Sequence, residues 1–396
     1  MKLRIALIVS HPIQHFCPQY VSFAGNPQIE FKVFFASMLG LKKYIDPDFK
    51  QEISWGNLEL DKFQHVFLNG DAVIPAGKNL DAPALNKALD DYDPALIITY
   101  GYFQKLQRRA CRWARQKKVP IAYISDSERR QHRNWLKEIL KAPFIRKYFS
   151  AISYFLSVGE ANEEFYRNYG VPDAKIFRMN FPIDINQYSA AYSQREFLRR
   201  QVREEYNIKE SDIVLTVVGK LVPWKNQDHI IAAMKLLEAG NIHTHLFLLG
   251  SGQMMDKLKQ EAASLVHSKV HCCGFTAIEK LPSFYAATDI YVHPASAEPH
   301  SIAVSEAIYM GCPVIISDRC GSYGNTDDVQ EGRNGFVFRF GRIEELAKKI
   351  KQLINNPAER TAFGSYSHRV ALEFQERSHR QALYEIVQIE KKKRNY

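Results

Sequence analysis

The sequence predicts an α/β protein made of two doubly wound domains. Short apolar runs recur along all 396 residues, separated by amphipathic stretches of helical length, which is the pattern of parallel strands joined by crossover helices. The pattern restarts near the middle, where the charged stretch Arg195–Glu210 reads as a helix leading into a new first strand. The length also suits two domains of ordinary size, each with its own core.

In the first half, strands are expected at Leu3–Val9, Phe31–Ala36, Ala95–Thr99, Ile121–Ile124 and Tyr154–Val158. In the second they are expected at Ile213–Val218, His245–Leu249, Val270–Cys273, Ile290–His293, Val314–Ser317 and Gly335–Phe338. Between the halves, Phe177–Tyr188 carries a proline and turn formers, which places the domains at residues 1–187 and 188–373. Residues 374–396 are left as a C-terminal element free to return to the first domain. Its last part, Ser378–Tyr396, reads as a helix whose closing Lys391-Lys-Lys-Arg394 suits the negative end of the helix dipole.

Formal charge is +10 and is concentrated in one stretch. Residues 101–150 hold fourteen Lys and Arg against Asp126, Glu128 and Glu138, so this stretch carries +11 and the remainder is nearly neutral. Within it, Trp135–Phe149 interleaves aromatic, aliphatic and basic residues, as an interfacial segment on an anionic membrane does, and as a solvated basic face over a core helix also does. The partner surface expected runs through Lys105–Lys147. No nucleic-acid motif accompanies the charge. The six cysteines show no disulfide or metal spacing, no small-residue cleavage site follows the opening strand, and no run of eighteen apolar residues occurs. A cytoplasmic protein, with peripheral contact to the inner face of a membrane as an option, is therefore expected.

In open α/β sheets the ligand sits beyond the carboxyl ends of the strands. There the second half places Gly219-Lys220 and Lys225, two cations that suit a diphosphate leaving group, although such lysines are more often solvated. Gly250 and Gly252 form a tight turn that permits close main-chain approach to a ligand. Cys273-Gly274-Phe275 ends another strand, where main-chain groups suit a base edge. His300, Ser301 and Ile302 open a helix whose amides face an anion. Glu298 precedes this helix and Glu306 lies within it among apolar neighbours, where a carboxylate needs hydroxyl or amide partners.

In order and context, Gly219-Lys220-Leu-Val-Pro-x-Lys225-Asn, Gly250-Ser-Gly252, Val270–Phe275, Glu298–Glu306 and Asn334-Gly-Phe-Val-Phe338 resemble the retaining glycosyltransferases of family 4, which have the GT-B fold. Ser10-His-Pro-Ile-Gln-His-Phe-x-Pro18, Asp48-Phe49 with Ile53-Ser-Trp55, and Tyr92-Asp-Pro-x-Leu-Ile-Ile98 resemble a bacterial branch of that family. The resemblance implies two Rossmann-like domains facing each other across a cleft, with the donor on the second and the acceptor on the first. It implies transfer of a hexosyl or related residue from a UDP- or GDP-linked sugar to a saccharide or lipid-linked acceptor in polysaccharide or glycoconjugate synthesis. Lys220 and Lys225 would then contact the diphosphate, Glu298 the donor sugar and Glu306 the ribose. Lys220 stands where arginine is usual, and His300-Ser301 replace the usual Phe-Gly. His11, Gln14 and His15 correspond to the family's loop after the first strand, and Asp126 or His132 would supply a sugar contact. No cofactor or metal is expected, and Asp46-Pro-Asp48 and Asp91-Tyr-Asp93 read as turns. A nucleotide-sugar-binding regulator without transfer activity and a sugar-nucleotide epimerase are the competing expectations.

Overall fold

The computed structural model describes residues 2–42, 44–46, 51–53, 58–131 and 135–394. His132, Asp48, Phe49 and Trp55, all named above, lie outside the described residues.

The first half contains β1 (Leu3–Val9), β2 (Ile29–Phe35), β3 (Tyr44–Asp46), β4 (Gln51–Ile53), β5 (Gln64–Phe67), β6 (Leu96–Tyr100), β7 (Ile121–Ser125), β8 (Tyr154–Ser157) and β9 (Ile176–Arg178). Seven of these form a sheet in the order β5-β2-β1-β6-β7-β8-β9, and β3 with β4 makes a separate antiparallel hairpin. Every pairing in the seven-stranded sheet is parallel. The second half adds β10 (Ile213–Val218), β11 (Thr244–Leu249), β12 (Lys269–Gly274), β13 (Ile290–His293), β14 (Val314–Ser317) and β15 (Gly335–Phe338), parallel throughout in the order β12-β11-β10-β13-β14-β15. Each sheet is thus doubly wound, with its order reversing at β1/β6 and at β10/β13.

Central strands such as β1 and β13 are apolar on both faces because helices cover both sides of a parallel sheet. All eleven strands expected from the sequence form, with ends displaced by at most two residues. The edge strands β5 and β9 and the β3–β4 hairpin were not expected. Gln-His-Val-Phe and Ile-Phe-Arg are short and only partly buried, so they lack the apolar run that marks an inner strand.

The chain passes between the domains twice. Met179 packs into the first core, whereas Ile183 and Tyr188 pack into the second. Helix Pro357–Glu376 then lies on the second domain through Val370 and Phe374. It widens into a π-helical turn at Arg377–Gln381 and continues as helix Ala382–Lys393 on the first domain. There Ala382, Leu383, Ile386 and Val387 are buried in the core on one face of the first sheet, and burying an aliphatic side chain of the larger kind contributes about 1.5–3 kcal/mol. Gln19 Nε2 donates to Ser378 O at 2.6 Å and Ser22 Oγ donates to His379 O at 3.1 Å, tying this return segment to the first helix.

Loops of the two domains are also clasped together. Arg178 bridges Glu163 (2.7 Å) and the fully buried Asp327 (3.1 Å), and the Glu160 amide donates to Asp327 Oδ2 at 2.9 Å. Arg130 stacks on the Tyr323 ring at 3.7 Å and donates to Tyr323 O at 2.6 Å. These contacts hold the strand ends of the two sheets opposite each other.

Candidate active site in the interdomain cleft

Both reversal points open into one cavity of about 700 Å³. Phe16 lines it from the loop after β1, and Tyr100–Phe103 and Tyr123–Ser127 from the ends of β6 and β7 and the loops that follow them. Val218, Gly219 and Lys225 line it from the loop after β10, and Glu298 with His300–Ala303 from the loop after β13. The cavity therefore lies where a doubly wound fold leaves room for a ligand, since crossover helices diverge to opposite faces at a reversal point.

The polar centre of the cavity is an ion pair between Lys225 Nζ and Glu298 Oε2. Both side chains are mostly buried, and desolvation pushes the Lys225 ammonium down to about 8, with Lys220 adding to the depression. Contact with the Glu298 carboxylate opposes that trend and favours the charged form. Behind the pair, His293 Nε2 lies 3.4 Å from Glu298 Oε2. Complete burial drives His293 well below its ordinary value, so it stands as a neutral imidazole.

His300 Nε2 lies 3.0 Å from Asp328 Oδ2, which also accepts from Ser305 Oγ at 3.1 Å. Burial disfavours the His300 imidazolium, but the negative charge of Asp328, helped by Asp327 and Asp126, outweighs the loss of hydration and raises the group. The loop at His300 and Ser301 is anchored by Ser301 N donating to Ser322 Oγ at 2.8 Å and by Gly321 N donating to Glu298 O at 2.8 Å. A Cβ at Gly321 would meet Pro299 O at 1.8 Å, so the two loops touch main chain to main chain. The cavity thus offers an ammonium, an acid-paired imidazole and the start of helix Ile302–Tyr309 on one wall, a set that suits a diphosphate.

Of the residues singled out in the sequence, Gly219, Lys225, Glu298, His300, Ser301, Ile302 and Asp126 line this cavity. Lys220 stands beside Lys225 outside the lining, its carbonyl accepting from Gln227 Nε2 at 3.0 Å. His11, Gln14 and His15 occupy the turn after β1, from which Phe16 is the residue that reaches the cavity. His11 Nδ1 lies 2.9 Å from Ser10 Oγ, and burial lowers both histidines to about 4.

Gly250 and Gly252 have a local reason to be glycine. At φ +146° and +152°, a Cβ on them would lie 1.9 Å from Gly219 O and 2.5 Å from Leu221 O. The close approach is therefore to the neighbouring loop of the protein itself. Gly250 N donates to Gly274 O at 2.8 Å, which knits the ends of β11 and β12 together. Cys273 is half-buried with its thiol pushed up to about 11, and Phe275 is 43% exposed. Glu306 does not line the cavity either: it is 4% exposed and accepts from the Tyr285 hydroxyl at 2.9 Å, among Tyr188, Tyr285 and Tyr291. In the Asp91-Tyr-Asp93 stretch, Asp91 pairs with Lys87 and Asp93 with Arg4.

Sequence reasoning passed over His293, Asp327 and Asp328. The signals were present: His293 ends an otherwise apolar strand, and two adjacent acids close a loop of Gly, Ser, Asn and Thr. Asp327 and Asp328 meet Arg178 and His300, which come from β9 and from the loop after β13, so spacing points to neither partner, whereas His293 meets Glu298 only five residues on, in the loop its own strand feeds.

The family described as "Glycosyl transferases group 1" matches residues 199–370. Among curated proteins, the putative glycosyltransferase EpsD of Bacillus subtilis is 25% identical over 178 residues, 45% of this chain and 46% of that protein. The GDP-mannose-dependent monoacylated alpha-(1-6)-phosphatidylinositol monomannoside mannosyltransferase of Corynebacterium glutamicum is 25% identical over 190 residues, 46% of this chain and 48% of that protein. The chain thus matches about half the length of these relatives. Among solved structures, Anabaena HepE in complex with UDP superposes with a TM-score of 0.67 at 18% identity, covering 100% of both chains. A glycosyltransferase from Rickettsia africae gives 0.71 at 14% identity, covering 99% and 98%. These likenesses over the whole length show the GT-B fold.

Proposed function

We propose that this chain, whose second domain carries the group 1 glycosyltransferase match, transfers a glycosyl residue from a nucleotide-diphosphate sugar to a saccharide or lipid-linked acceptor with retention of anomeric configuration. The observation that carries the reading is the buried Lys225–Glu298 pair beside His300 and the helix start at Ile302, all in one cavity between the strand ends. In this reading the incoming diphosphate takes the Lys225 ammonium away from Glu298. The freed carboxylate then turns to the donor sugar's hydroxyls, with His293 behind it. Lys225, His300 and the first-turn amides stabilise charge that grows on the leaving nucleotide. The acceptor hydroxyl approaches from the side of Asp126 and Tyr100–Phe103, and its proton passes to the departing phosphate. Glu306 serves the donor pentose only if that sugar displaces the Tyr285 hydroxyl, and the loop Cys273–Phe275 receives the base. Six free cysteines, four of them buried, are in keeping with work in a reducing cytoplasm.

The test starts with binding. UDP- and GDP-sugars are screened for thermal stabilisation, and release of free nucleotide is followed with an acceptor mixture. Lys225→Ala is expected to keep the fold and lower turnover by roughly a hundredfold or more, the usual scale for losing one charge-stabilising group. Near-wild-type turnover would remove Lys225 from the mechanism, and saturable nucleotide binding without turnover in the wild type would replace transfer by a binding role.

A further inference from the structure

Helix Trp135–Phe149 buries Ile145 and Phe149 in the first core, but its opposite side stays in solvent. Ile139 is 60% exposed, Leu140 80% and Phe144 52%, and Phe103 in the adjoining loop is 62% exposed. Soluble surfaces seldom gather large apolar side chains in this way without a use for them. Beside them, a groove of about 460 Å³ runs between this helix and helix Lys105–Lys117. Arg108, Arg112 and Arg115 line one wall, and Phe144, Tyr148 and Ile152 the other. Arg109 and Lys117 of the same helix are already paired with Asp81 and Asp90, whereas among the described residues no ion pair is formed by Arg112 or Arg115. Lys141, Arg146 and Lys147 flank the apolar stripe and are also exposed.

We infer that this face docks on an anionic phospholipid surface, with Ile139, Leu140, Phe144 and Phe103 entering the interfacial layer and the arginine groove receiving lipid phosphate. Charge decides the occupant. The apolar stripe lies in the one stretch of the chain that carries +11, and a negatively charged bilayer is the partner that satisfies cations and apolar side chains together. The placement also gives docking a purpose, which rests on the transfer reading above. Phe144 packs edge-on against Tyr102 at 6.0 Å, and Tyr102 and Phe103 line the catalytic cleft. The docked face therefore adjoins the cleft on its acceptor side, where a saccharide carried on a membrane-bound lipid would arrive without leaving the bilayer.

Flotation of the full chain with phosphatidylcholine vesicles, with and without about 30% phosphatidylglycerol, tests the inference. Binding is expected to be at least about tenfold stronger to the anionic vesicles and to fall steeply at about 0.5 M salt. The double variant Arg112→Glu/Arg115→Glu and, separately, Ile139→Asn/Leu140→Asn are each expected to lose about tenfold in binding with unchanged melting temperature, because all four side chains are exposed. Equal binding to both vesicle types, no binding to either, or wild-type binding by the charge-reversed variant would overturn it. The readout needs no turnover, so vesicle binding by a chain that transfers no sugar would sink the functional reading and leave this one standing.

Discussion

Replacing Glu306 by Gln isolates the cost of a carboxylate enclosed in the second domain's core. Glu306 is 4% exposed, accepts the Tyr285 hydroxyl at 2.9 Å and titrates at about 7 instead of 4.5, because burial penalises its charged form. Between those values the folded protein holds a proton that the unfolded chain has released. Stability therefore falls as the pH rises through that window and levels off above about 7. At 1.36 kcal/mol per pH unit, the loss integrates to roughly 2 kcal/mol between about pH 5.5 and pH 8. Gln keeps the volume and an acceptor for Tyr285 but does not titrate, so the variant lacks this slope. Asp327, also pushed up to about 7 by burial, contributes equally to both proteins and cancels in the comparison. Urea unfolding of the second domain at the two pH values reads the difference directly. A wild type and variant whose pH dependences agree within about 0.5 kcal/mol would refute the claim that this carboxyl is held desolvated. The same titration bears on function: if the donor pentose takes the place of Tyr285, nucleotide affinity rises with pH through about 7 in the wild type and is flat in the variant.

Two further outcomes are expected. Asp328→Asn removes the charge that keeps His300 above its ordinary value, and burial then returns the ring to its neutral form. The wild type's extra stability, full below about pH 6.5 and lost as the pH rises through the raised value, should disappear. Histidine proton NMR and pH-dependent melting check both parts, and an unshifted His300 titration would contradict the pairing. Gly250→Ala should lower second-domain stability by on the order of 3 kcal/mol, because its Cβ would strike Gly219 O at 1.9 Å. Gly332→Ala, at φ +73° with open space around it, should cost only about 1 kcal/mol of backbone strain. Equal melting temperatures for the two variants would show that the loop contact does not matter.

How legible each part was depended on where its information lies along the chain. The inner strands were readable because burial on both faces demands uninterrupted apolar residues, and β13 shows this as Ile-Tyr-Val-His. The loops that carry Lys225 and Glu298 were readable because each follows such a strand directly. Edge strands β5 and β9 were not, since a strand with one covered face tolerates Gln64, His65 and Arg178. The purpose of Gly250 was half readable: the sequence signals a position that admits only glycine, but whether the close neighbour is a ligand or a backbone oxygen depends on a loop thirty residues away.

By itself, then, the sequence determined the alternation of strands and helices, the restart that makes two domains, the reserve of cations in residues 101–150 and the cluster of chemistry at strand ends. These are properties of local pattern, and local pattern sets which residues turn inward. Only the tertiary structure decided that Lys225 rests against Glu298, that His300 pairs with Asp328, that Glu306 faces tyrosines and that Ala382–Val387 returns to the first sheet. A buried charge takes whatever partner the fold brings within reach, and that reach is set by strand order and by a chain that crosses between domains twice.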